Sequence, residues 1–272
     1  MIYRTFEMKE TGSLPGSKLD LYLQETSDAL KIVKRPLILI CPGGGYGMTS
    51  DREAEPVAFQ FLAMGYHAAI LRYSCAPARF PTALLEAASA MAMIRKNAEE
   101  WNVQADKILV TGFSAGGHLA ASLGMFWDED FVAKELGLGE AEHELVCPDG
   151  MILGYPVITS GKFAHRGSFQ NLLGEREEEL AEKVSLENQV SLKTPPAFIW
   201  HTFEDAAVPV ENSLLLVSAL RKAGVSAEFH MFPRGSHGLS LANHLTETPD
   251  GGAVQKECAV WIDLVHTWVE NL

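Results

Sequence analysis

The chain has little that would suit it to binding a polyanion, crossing a bilayer or forming disulfides. Lys and Arg number 22 against 35 Asp and Glu, a formal charge of −13, so a nucleic-acid or anionic-membrane partner is disfavoured by repulsion. No run approaches the roughly 20 apolar residues that a membrane span needs. The N-terminus, MIYRTFEMKETGSLPG, lacks the basic stretch and apolar run of a secretory signal. Cysteine is scarce: Cys41, Cys75, Cys147 and Cys258 are scattered, with no C-x-x-C pair and no zinc spacing, and the expectation is reduced, buried thiols in a cytoplasmic protein. An H-E-x-x-H sequence, a phosphate loop and a dinucleotide fingerprint are also missing, so nothing supports a metal or a nucleotide cofactor.

What is present is the composition of an ordinary globular fold, 47% hydrophobic and 21% charged over 272 residues. That length accommodates one large domain with a substantial core, and no linker-like stretch divides it. Strand-like segments fall at Tyr3 to Glu10, Lys18 to Thr26, Pro36 to Cys41, His67 to Tyr73, Ile108 to Thr111, Met151 to Val157, Ala197 to Thr202 and Ala227 to Phe232. Helical patterns occupy Arg52 to Met64, with Ser50 or Asp51 as cap, then Pro81 to Trp101, Ala115 to Met125, Val210 to Ala223 and Ala253 to Leu272. The first two strands form a hairpin-like opening, and the alternation after them implies βαβ units and a mostly parallel sheet covered on both faces. Residues 158–194 break the alternation. Polar and rich in Glu, with short helical pieces such as 174–180, they read either as a small cap over a pocket or as a solvated helical excursion.

The stretch KILVTGFSAGGHLAASLG, 107–124, passes from an aliphatic strand through a serine among glycines into a helix. Gly112-Phe113-Ser114-Ala115-Gly116 fits the G-x-S-x-G elbow, which holds a nucleophilic serine on a strained turn above a sheet. A serine hydroxyl needs a base to take its proton and an acid to orient that base, in the chain order Ser, Asp or Glu, His. His237 fits the base, in the glycine-bearing loop Pro233 to Gly238 that follows a strand. Asp205 fits the acid, on the loop after Ala197 to Thr202, with Glu204 its immediate rival. The run Cys41-Pro42-Gly43-Gly44-Gly45-Tyr46-Gly47 brings backbone close to something. The amides of Gly44 and Gly45, with that of Ala115, form a candidate oxyanion hole.

Together Pro42-Gly43-Gly44-Gly45-Tyr46, the elbow through Gly117-His118, Asp205 ahead of Val208-Pro209, and Gly235-Ser236-His237-Gly238 resemble an α/β-hydrolase esterase. The similarity is to single-domain acetyl esterases related to acetyl xylan esterases and hormone-sensitive-lipase-like enzymes, and it runs from Leu37 to the C-terminus. It implies a mostly parallel sheet of about eight strands with helices on both faces, serine hydrolysis of short acyl esters of small molecules, O-acetylated sugars among them, and no cofactor. Many lipase-like relatives carry His where Pro42 stands, and the carbohydrate-esterase-like members match better there. Tyr46 and Tyr155 are candidates for the pocket wall. His118 reads as a packing residue of the serine helix, and His201 as the end of a core strand. A small prolyl-oligopeptidase-type peptidase and a catalytically silent binding protein share the fold and stay open as alternatives, and a homodimer is a fair expectation for such a protein.

Overall fold

The computed structural model describes residues 1–139 and 142–272 in full. Eight strands form one sheet: β1 (Ile2–Glu7), β2 (Lys18–Leu23), β3 (Arg35–Cys41), β4 (His67–Arg72), β5 (Val103–Phe113), β6 (Met151–Gly154), β7 (Ala197–Thr202) and β8 (Ala227–Phe232). Their order is β1-β2-β4-β3-β5-β6-β7-β8. The opening hairpin is antiparallel, β2 joins β4 antiparallel, and every pair from β4 to β8 is parallel. This is the α/β-hydrolase architecture. Between the strands run α1 (Glu55–Ala63), α2 (Thr82–Lys96), α3 (Ala115–Phe126), α4 (Asp130–Glu135), α5 (Arg166–Leu173), α6 (Glu177–Leu180), α7 (Glu211–Ala223) and α8 (Trp261–Glu270).

The central strands are apolar on both faces, as helices on both sides require. Leu37, Leu39, Val110 and Leu153 bury one face together with α2, α3 and α7. Ile38, Ile40, Leu109, Phe113 and Ile152 bury the other beneath α1 and α8, where Trp200 stacks on Trp261 at 5.3 Å. Because the strands are parallel, the carboxyl ends of β3, β5, β7 and β8 lie along one edge. That edge carries the glycine loop, Ser114, Asp205 and His237.

Several elements differ from the sequence expectation, each for a local reason. No helix begins at Arg52 under a Ser50 or Asp51 cap; a single 3-10 turn spans Asp51–Glu53, and α1 begins at Glu55. Pro56 would clash with the carbonyl of Arg52 if one α-helix ran through both. The strand at β5 starts at Val103 rather than Ile108, drawn out by pairing of Val103 with Arg35, whereas its exposed Ala105 and Asp106 give no apolar signal. The last helix begins at Trp261 instead of Ala253, whose φ of 63° is incompatible with a helix. Among the described residues no helix is long and apolar enough to cross a membrane, and all four cysteines are free thiols.

Candidate active site

Ser114 sits on the turn from β5 into α3 at φ 53°, ψ −120°, a conformation that costs a non-glycine residue about 1–3 kcal/mol. Its surroundings hold it there. The Ser114 N–H donates to the Gly154 carbonyl at 3.0 Å, and its own carbonyl accepts the N–H groups of Val157 at 3.0 Å and His118 at 3.1 Å. The glycines at 112 and 116 are steric requirements. A Cβ on Gly112 would lie 2.0 Å from the Gly116 carbonyl oxygen, and one on Gly116 would lie 2.1 Å from that of Cys41.

His237 closes on this serine. Its Nε2 is 2.8 Å from Ser114 Oγ and its Nδ1 is 2.6 Å from Asp205 Oδ2. The Asp205 carboxylate is fully buried, and both its oxygens accept. Oδ1 takes the N–H groups of Ala207 at 3.0 Å and Val208 at 2.9 Å, while Oδ2 takes His237 and also His201 Nε2, 3.2 Å away. Burial alone would raise the pKa of Asp205, but the hydrogen bonds from His201 and His237 hold it below the usual carboxylate range. The carboxylate, which can only accept, therefore fixes the tautomer of each imidazole. His237 carries its proton on Nδ1, which leaves Nε2 to accept from Ser114. His201 carries its proton on Nε2, between Asp205 and the Val208 carbonyl, and accepts from Ser213 Oγ at 2.8 Å. Glu204 is exposed and takes no part.

The glycine loop is fastened by its carbonyls. Pro42 accepts from the Tyr73 hydroxyl, Gly43 from Ser50 N–H, Gly44 from Gly47 N–H, Gly45 from Asn171 Nδ2 and Tyr46 from Ala76 N–H, all within 3.0 Å. Gly43 N–H donates to Glu53 Oε2 at 2.8 Å. The N–H groups of Gly44 and Gly45 find no partner among the described residues, and that of Ala115, at the first position of α3, has no helical carbonyl to reach. The loop runs beside the serine, since a Cβ on Gly43 would stand 3.0 Å from Ser114 Cβ.

The two tyrosines expected at the pocket wall are packed inside instead, because their hydroxyls have partners there. Tyr46 is 3% exposed and bonds His118 Nδ1 at 2.8 Å. Tyr155 is 1% exposed, with its ring edge-on to the His237 imidazole at 5.0 Å and its hydroxyl on Glu53 Oε1. His118 Nε2 donates to the Val184 carbonyl, and burial depresses its pKa to about 4, so it stays neutral. It thereby ties the serine helix to the 158–194 segment. In that segment α5 packs against the glycine loop, with Asn171 on the Gly45 carbonyl and His165, bonded to Ser168 Oγ, at its N-cap. The sequence reading missed Glu53, which lies within the helix expected over Arg52 to Met64, and the contact of His201 with Asp205. The spacing His201-x-x-x-Asp205 across a strand end was the only signal for the second.

A family model described as BD-FAE matches residues 19–220. The chain belongs to the BD-FAE family. It is 41% identical over 78% of its length to an endo-1,4-beta-xylanase B from Butyrivibrio fibrisolvens and 31% identical over 74% to an acetylxylan esterase from Xylanibacter ruminicola. It spans only 33% and 40% of those two relatives. A crystal structure of an acetyl ester-xyloside bifunctional hydrolase from Caldicellulosiruptor lactoaceticus superposes with a TM-score of 0.80 at 37% identity, covering 94% of this chain and 88% of that one. The BD-FAE match begins at β2 and ends in α7, so it takes in the glycine loop, Ser114 and Asp205 and stops before His237.

Proposed function

We propose that this BD-FAE protein is a serine carboxylic ester hydrolase that removes short acyl groups, acetyl foremost, from a sugar or xylo-oligosaccharide. The observation that carries the reading is the unbroken hydrogen-bonded chain Asp205–His237–Ser114 beneath a strained elbow. Ser114 Oγ attacks the ester carbonyl while His237 Nε2 takes its proton, and Asp205 stabilises the imidazolium that results. The N–H groups of Gly44, Gly45 and Ala115 donate to the oxygen as it becomes negative, each typically worth ~10²–10³ in rate. The imidazolium returns the proton to the departing alcohol, leaving an acyl group on Ser114. Water, deprotonated by His237, then attacks that acyl-enzyme and frees the acid, so the kinetics are ping-pong. The names of the xylan-linked relatives support a sugar alcohol as leaving group.

Hydrolysis of p-nitrophenyl acetate and p-nitrophenyl octanoate by wild type and Ser114→Ala tests this, followed by acetate release from acetylated xylo-oligosaccharides. Ser114-dependent turnover that favours acetate and extends to the oligosaccharides is expected. Rapid hydrolysis by Ser114→Ala would refute the mechanism. A preference for octanoate would refute the short-acyl reading, and cleavage of peptides in place of esters would make the protein a peptidase.

A further inference from the structure

Behind the reacting groups lies a second buried carboxylate that the mechanism above does not use. Glu53 is 4% exposed and stands in the 3-10 turn ahead of α1. Its Oε2 accepts Gly43 N–H at 2.8 Å and its Oε1 accepts the Tyr155 hydroxyl at 2.5 Å. The Tyr155 oxygen already accepts Ser240 N–H at 2.8 Å, so its own proton is directed at Glu53. The same turn grips the histidine loop. Arg52 donates to the carbonyls of Gly238 and Thr246, and its carbonyl accepts from Ser240 Oγ. One turn therefore holds the loop that precedes Gly44 and the loop that carries His237.

We propose that Glu53 is a positioning residue that works as a carboxylate. Through Gly43 it sets the glycine loop beside Ser114, and through Tyr155 it sets the His237 imidazole and favours its charged form as the reaction proceeds. The inference rests on the serine-esterase reading. Burial works against the charge and raises the pKa of Glu53, while the donors Tyr155 and Gly43, His237 and neighbouring Arg52 favour ionisation. Tyr73, just after β4, is raised in pKa by burial and, to a smaller extent, by the charge on Glu53. His237 bonds Asp205 and Ser114 and packs edge-on against Tyr155, and it is near enough to Glu53 and to His165, the N-cap of α5, for their charges to influence one another.

The test measures kcat, KM and the pH profile of kcat/KM on p-nitrophenyl acetate for wild type, Ser114→Ala, Glu53→Gln and Tyr155→Phe, with active sites counted from the acyl-enzyme burst. Glu53→Gln keeps the shape and an oxygen for Gly43 but removes the charge. Tyr155→Phe keeps the ring against His237 but removes the hydroxyl that joins it to Glu53. Both variants are expected to lose about 10–100-fold in per-site kcat with KM within about twofold, the size of effect that misplaced groups produce. A carboxylate near an imidazole favours its protonation, so its removal moves the acid limb of Glu53→Gln to lower pH by about half a unit or more. His165 and Asp205 are the same in both proteins and cancel from that difference. Wild-type per-site kcat and an unmoved acid limb in both variants, with Ser114→Ala inactive, would overturn the proposal, even if the variants gave less folded protein. Full activity in Ser114→Ala would instead remove the esterase reading beneath it.

Discussion

Replacing Asp205 by Asn changes one atom in a side chain that faces four donors. Oδ1 faces the N–H groups of Ala207 and Val208, and Oδ2 faces His237 Nδ1 and His201 Nε2. An Asn side chain must turn its NH₂ toward one of these pairs. The backbone pair cannot change, but an imidazole can change tautomer, so the NH₂ faces the histidines. His237 then accepts on Nδ1 and carries its proton on Nε2, where it meets Ser114 Oγ as a donor and can no longer act as a base. A wrong tautomer in a triad of this kind costs about 10⁴ in kcat, roughly 5 kcal/mol of transition-state stabilisation. The assay is steady-state hydrolysis of p-nitrophenyl acetate by Asp205→Asn beside Glu204→Gln, whose exposed side chain leaves turnover near wild type. Activity of Asp205→Asn within tenfold of wild type would refute the argument. Collapse of Glu204→Gln instead would move the acid's role to that residue. Stability offers a second readout. Since the Asp205 pKa is lower folded than unfolded, its contribution is complete above roughly pH 4 and is lost as pH falls below that toward the folded value. Urea unfolding of wild type and Asp205→Asn should therefore converge as pH is lowered.

Two further substitutions test the packing around the serine. Gly116→Ala places a Cβ 2.1 Å from the Cys41 carbonyl oxygen and 2.4 Å from that of Pro42, neither of which can move without the glycine loop. It should destabilise by about 1–3 kcal/mol and abolish turnover, whereas Gly167→Ala at an exposed position of α5, where the Cβ meets only an ordinary contact at 3.6 Å, should be neutral or stabilising by up to about 1 kcal/mol; equal urea midpoints for the two would contradict the steric account. Tyr46→Phe strips the hydroxyl from His118 Nδ1 and leaves only a 3.4 Å contact with Ser122 there. A loss of about 1–3 kcal/mol is expected from a buried group so orphaned, and an unchanged urea midpoint would show that the contact is not a bond.

The order of strands and helices was legible because parallel strands buried on both faces write themselves as aliphatic runs, and helices between them as apolar residues at helical spacing. The elbow was legible for the same local reason: Ser114 with glycines two residues to either side has meaning within five residues. Element ends were less so. The start of β5 at Val103 depends on pairing with Arg35, and the break before α1 depends on a clash between Pro56 and a carbonyl four residues back. Neither leaves a trace in hydrophobic periodicity.

By itself the sequence determined which chemical groups exist and where the backbone is permitted to turn: a serine between glycines, a glycine loop after an apolar strand, an acid and a histidine each following a strand. The tertiary structure decided which of those groups meet. That Asp205 and not Glu204 faces His237 follows from which side of one loop turns inward, and that His201 shares the same carboxylate follows from where β7 ends. That Tyr46 and Tyr155 spend their hydroxyls on His118 and Glu53 follows from contacts across 72 and 102 residues of chain. Such contacts are set by packing between distant elements, and no local pattern of residues encodes them.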